Sequence, residues 1–231
     1  MKRNFHIPHT AKAFFVAGMI LFSGCKKEAA TDLDPQTEYF GLKEGAFVEY
    51  DVTYMFHDSL LQKHDTIHYQ MKTVVGDTEI DNSGRTVRKF YRYFRSNASA
   101  AWDVKDLWTA IVEGNRAELV EENQRMIKLV FKPSEDKQWN INAYNNLGEM
   151  NARYSGIGAA ITINGLSFAS TVTVDQEQYK TLIDLRSKYE VYALGVGMIK
   201  KQHRDLKYKF GSPKPIKGEE YFYEVIHYGV Q

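Results

Sequence analysis

Across residues 46–56 (AFVEYDVTYMF) the chain alternates apolar and polar side chains with a period of two. Val48, Tyr50, Val52, Tyr54 and Phe56 fall on one side; Glu49, Asp51 and Thr53, flanked by Phe47 and Met55, fall on the other. Successive side chains of a strand point to opposite faces, so this pattern specifies a half-buried β-strand. The period recurs over residues 65–75, where Ile67, Tyr69, Met71, Thr73 and Val75 share a face. Asp81-Asn82-Ser83-Gly84 supplies turn chemistry. The following residues 86–95 place Phe90 and Phe94 on one face and Val87, Tyr91 and Tyr93 on the other. Aromatic residues on both faces imply that neither face is fully solvated.

Residues 102–113 fit a helix or a strand, and 107–112 lean to strand because a Gly114-Asn115 turn follows. Residues 116–122 and 124–131 read as a hairpin around Asn123. Residues 133–148, with Trp139 among several asparagines, read as a long loop. Residues 153–163 are interrupted by glycine, and 169–176 alternate well. Within 189–210, Gly195-Val196-Gly197 interrupts a strand pattern, which predicts a bulge or bend. Pro213 and Pro215 mark a loop before a last strand at 219–228. About nine closely spaced strands predict a mainly β chain: one antiparallel curved sheet or β-barrel-like domain over residues 39–231, with few helices.

The N-terminus carries a different message. Met1-Lys2-Arg3 and Lys12 make a basic start with no acidic residue before Glu28, and residues 13–22 (AFFVAGMILF) form a ten-residue apolar block. That length suits a secretory leader and is too short to span a bilayer, which takes about 20 apolar residues. Phe22-Ser23-Gly24-Cys25 follows, and Cys25 is the single cysteine of the chain. This arrangement resembles the lipobox of bacterial lipoproteins, although Leu21 lies four places before the cysteine, where the family usually has leucine three before. The resemblance implies a leader at 1–24 and an acylated Cys25. Lys26 and Lys27 stand where an inner-membrane retention signal tends to have Asp, which by the same resemblance points to the outer membrane, with the side it faces left open. Residues 25–38 lack periodicity and read as the lipidated cysteine plus a flexible tether. A lone cysteine also rules out any disulfide within the chain.

Tyr39-Phe40-Gly41-Leu42-Lys43-Glu44-Gly45, followed by Val48-Glu49-Tyr50, resembles the opening of uncharacterised lipoproteins from Bacteroidetes-type bacteria, with Gly41 where that family usually has proline. Ile127-Lys128-Leu129-Val130-Phe131 with Trp139-Asn140, and Glu190-Val191-Tyr192-Ala193 with Gly195-Val196-Gly197-Met198-Ile199, resemble the family's middle and late segments. The resemblance implies a secreted β fold and no particular activity.

Charge narrows the function classes. The full chain has 30 basic and 29 acidic residues. Without residues 1–24, which contain Lys2, Arg3 and Lys12, 27 face 29. A net −2 argues against nucleic acid and against a polybasic membrane-surface module. Among motifs, His64-Asp65-x-x-His68 is the one compact histidine group, but residues four apart on a strand lie about 13 Å apart, too far to share a metal. The acid pairs Glu121-Glu122 and Glu219-Glu220 would split between faces, which reads as capping or solvation. Arg88 and Arg92 beside Phe90 read as a solvated stripe. No nucleophile elbow, P-loop or complete dinucleotide fingerprint is present, so no catalytic residue, cofactor or metal ligand is assigned.

Fifteen Tyr, 13 Phe and 3 Trp can fill a curved sheet or line a cavity. Trp102, Trp108 and Trp139 lie in or beside irregular segments and are the candidates for stacking on a ligand. The expectation is therefore a non-enzymatic, membrane-anchored envelope lipoprotein that binds an apolar or carbohydrate ligand in a cavity of about 300 Å³ or more. The alternative is a structural component that docks another envelope protein. A hydrolase would require two acids, or a histidine and an acid, converging in a cleft.

Overall fold

The computed structural model describes residues 36–231. The expected leader at 1–24, the acylation site Cys25 and the tether up to residue 35 lie outside the described residues. A single 3-10 turn, Thr37–Phe40, opens the described part, so the last two residues assigned to the tether are ordered.

Twelve strands follow: β1 Ala46–Asp58, β2 Lys63–Ile80, β3 Thr86–Arg95, β4 Asp103–Glu113, β5 Arg116–Glu121, β6 Gln124–Val130, β7 Gln138–Asn140, β8 Asn151–Ile163, β9 Leu166–Lys180, β10 Asp184–Ala193, β11 Gly197–Tyr208 and β12 Pro215–Val230. They form one antiparallel sheet ordered β6-β5-β4-β3-β2-β1-β12-β11-β10-β9-β8-β7, curled into a nearly closed barrel. The first and last strands meet in the middle of that order, from Ala46 opposite Val230 to Asp58 opposite Lys217. The two sheet edges, β6 and β7, are consecutive in the chain. Every strand pairs within this body, and two clusters of buried apolar residues fill it, so it is a folding unit in its own right.

The alternation in β1 does what it predicts. Val48, Tyr50 and Val52 are buried, and opposite them on β2 lie Thr73, Met71 and Tyr69. Of residues 102–113, which fit a helix or a strand, 103–113 form a strand and Trp102 precedes it. Two differences add strands to the expected set, and a third lengthens one. The loop assigned to 133–148 contains β7. Gly195-Val196-Gly197 does not bend one strand but reverses the chain between β10 and β11, with Val196 N–H donating to Ala193 O at 3.1 Å and both glycines at positive φ. Residues before 189, left unassigned from sequence, complete β10. Asn164 and Gly165, with φ of 49° and 80°, make the two-residue turn between β8 and β9, a hairpin signal that the glycine-interrupted pattern upstream obscured.

Unpaired sheet edges expose backbone donors and acceptors. Here the two edges face one another and are stitched largely by side chains. Tyr154 hydroxyl donates to Val130 O at 2.8 Å and accepts from Val130 N–H at 2.9 Å. Trp139 Nε1 donates to Ile127 O, Asn145 Nδ2 to Arg125 O, and Ile127 N–H to Ile141 O. β6 thus finds partners without a full-length neighbouring strand.

Gly41 follows the opening turn with φ +64°, and a Cβ there would lie 2.5 Å from Val196 O. Proline, fixed near −65°, cannot adopt this backbone. A glycine at this position is therefore what lets the opening turn seat against the β10–β11 turn, where Gly195 N–H donates to Glu38 O and Tyr39 hydroxyl bonds Ser170 Oγ at 2.8 Å.

Candidate functional site

The inner face of the curved sheet encloses a cleft of about 90 Å³. Phe40 and Gly41 from the opening turn and Val196, Gly197 and Met198 from the β10–β11 turn close one end. Val48 and Tyr50 of β1, Met71 and Thr73 of β2, Phe90 and Arg92 of β3, Trp108 of β4 and Leu119 of β5 form the walls. The volume is smaller than the roughly 300 Å³ of a pocket that encloses a whole small molecule.

Charged groups sit among these apolar walls. Lys128 Nζ lies 3.1 Å from Glu121 Oε1 and 2.8 Å from Glu190 Oε1. Lys201 Nζ reaches the same Glu190 oxygen at 3.3 Å. Tyr192 hydroxyl donates to Glu190 Oε2 at 2.6 Å. Strand pairing sets this up: Glu190 is opposite Lys201 across β10 and β11. Register shifts in β5–β6 and β10–β11 re-aim side chains locally. On the other wall Arg92 pairs with Asp106 at 3.1 Å and lays its guanidinium 3.8 Å from the Trp108 ring centroid.

Burial alone would raise the Glu190 carboxyl, but the charges of Lys128 and Lys201, with hydrogen bonds from Lys128 and Tyr192, outweigh it and hold it at about 2. Burial would lower Lys128, and Glu121 and Glu190 more than reverse that, keeping its ammonium above the ordinary lysine range. Burial, then the Glu190 charge, pushes the Tyr192 phenol well up, so it stays a donor. Two acids do converge in a cleft here. A carboxylate pinned ionised is a weak base and no acid, and a lysine held as ammonium is no nucleophile. The arrangement is suited to hold fixed charges and donors against a ligand.

The three tryptophans are not brought together. Trp108 lines the cleft, with Nε1 3.4 Å from Glu122 Oε1. Trp102 stands before β4 with the Arg95 guanidinium 4.1 Å from its ring centroid. Trp139 is buried at the β6–β7 seam, 4.8 Å from the Tyr154 ring. Arg92 corrects the reading of a solvated stripe: it is buried, because Phe90 and Arg92 share the face that the sheet turns inward. The acid pairs are also engaged. Glu121 holds Lys128, while buried Glu220 pairs with Arg204 at 2.5 Å and with His57 at 3.3 Å. His64 faces His57 across β1 and β2, with their Nδ1 atoms 3.2 Å apart, and His68 lies by Thr53 instead. Among the described residues no three His, Cys, Asp or Glu are arranged to hold a metal ion.

Lys128 and Glu190 were not singled out as site residues. Their signal was present: each is a lone charge beside an apolar run, in Ile127-Lys128-Leu129-Val130 and Glu190-Val191-Tyr192-Ala193. A charge in a strand buried on both faces must find a partner inside. No protein-family model matches the sequence, and comparisons with curated proteins and with solved structures return no match either.

Proposed function

We propose that this protein is an acyl-anchored outer-membrane lipoprotein whose β body binds a small amphipathic ligand without transforming it. The leader pattern and Cys25 support the anchor. The observation that carries the binding reading is the cleft, in which apolar walls meet fixed charges and donors. An apolar chain end or ring substituent packs between Phe40, Met71 and Phe90. A hydroxylated or anionic head meets Arg92, Lys201 and the Trp108 face, and the rest of the ligand lies at the mouth, which suits about 90 Å³ of room.

The test uses 8-anilinonaphthalene-1-sulfonate, an apolar ring system with an anionic head. Titration into the folded protein at neutral pH should give saturable, one-to-one fluorescence enhancement with energy transfer from Trp108. Thr73→Trp and Val196→Trp, each filling the cleft from a different wall, should remove it while the variants still unfold cooperatively. Equal binding by both folded variants would defeat the reading.

A further inference from the structure

The end of the sheet away from the Phe40 turn carries a feature that the cleft does not use. Three hairpin tips lie side by side there: residues 59–62 between β1 and β2, 209–214 between β11 and β12, and 181–183 between β9 and β10. Backbone bonds tie them to one another, Ser59 N–H to Ile216 O at 2.8 Å and Tyr208 N–H to Ile183 O at 2.7 Å. At their ends Leu60 is 95% exposed, Leu182 76% and Phe210 72%, with Leu61 and Ile183 also exposed. These side chains are held out: Asp58 Oδ1 accepts from both Leu60 and Leu61 N–H at 3.0 Å, which fixes the first tip.

Lysines surround them. Lys63, Lys180, Lys207, Lys209, Lys214 and Lys217 are all exposed on these tips and the strand ends beside them. None forms an ion pair with a described residue, whereas Lys72, Lys89, Lys188 and Lys200 elsewhere in the body each do. Residues 58–63, 180–184 and 207–217 contain these six lysines and only Asp58 and Asp184 as acids. Unneutralised positive charge is thus concentrated at one end of a chain whose net charge is close to zero.

We infer that this end docks on an anionic lipid surface. Leu60, Leu61, Leu182 and Phe210 are convex points, so a rigid partner would need a matching pit for each. A fluid interface needs none: apolar tips enter the headgroup–acyl boundary, and lysines above them meet anionic headgroups with their stems along the apolar layer. Acylation of Cys25 is not required, nor is occupancy of the cleft.

The test is co-sedimentation of residues 36–231, which lack the acyl site, with phosphatidylcholine vesicles with and without phosphatidylglycerol. Binding should require phosphatidylglycerol and weaken as salt rises. Lys209→Glu with Lys214→Glu should reduce affinity about tenfold or more, since each surface lysine is worth roughly a factor of five. Leu60→Ser with Leu61→Ser and Phe210→Ser should do the same, whereas Lys43→Glu, outside these tips, should change it little. All these positions are exposed, so thermal unfolding should be unmoved. Leu61→Trp emission should shift to the blue on vesicles. No vesicle binding, binding indifferent to the tip substitutions, an equal loss from Lys43→Glu, or capture of a protein by this end without vesicle binding would each overturn the inference.

Discussion

Glu190→Gln tests whether the buried charge chain is a stabilising element, because glutamine has the shape of the protonated acid. The folded carboxyl sits at about 2 against an ordinary value of 4.5. At about 1.4 kcal/mol per unit, the difference corresponds to a contribution of about 3 kcal/mol at neutral pH. The sign follows from the depressed value. The contribution is complete above about pH 4.5. It declines as pH falls, because the unfolded chain takes up a proton that the folded chain refuses, and it is gone near pH 2. Urea unfolding followed by tryptophan fluorescence should therefore show the variant about 3 kcal/mol less stable at pH 7 and about 1 kcal/mol less stable at pH 3. Lys128→Met alone should also destabilise, since it leaves two carboxylates facing a low-dielectric wall. The double variant should cost less than the sum of the two, because it strands one carboxylate, Glu121, where Lys128→Met alone strands two. A gap between wild type and Glu190→Gln that is the same at pH 7 and pH 3, or additive behaviour in the double variant, would refute the coupling.

Tyr154→Phe removes the hydroxyl that satisfies both Val130 N–H and Val130 O at the seam; it should cost about 1–3 kcal/mol and speed amide exchange at Val130 more than in β1. Gly41→Ala forces an L side chain into positive φ with its Cβ 2.5 Å from Val196 O, and should cost about 1–3 kcal/mol in urea unfolding. Cys25→Ser should remove the acyl mass from the N-terminus and leave membrane association that high salt releases, whereas the wild type resists salt; wild-type material with an unmodified cysteine would sink the anchor.

Strand periodicity was legible wherever one side of the sheet is polar. Residues 86–95 and the hairpin about Asn123 were placed from local signals alone, and the β class with them, because alternation and turn chemistry act within a few residues. Alternation, however, separates two faces without saying which becomes concave. That is why Arg92 read as solvated although it lines the cleft, and why Lys128 and Glu190, 62 residues apart in the chain, gave no sign of being partners. The meeting of β1 with β12 is equally non-local. It follows from curling a long meander until its ends and its edges find one another, at which point Tyr154 and Trp139 acquire roles that no neighbouring residue announces. Local chemistry set the strands; closure of the sheet chose their interior, and with it every charge that the interior must neutralise.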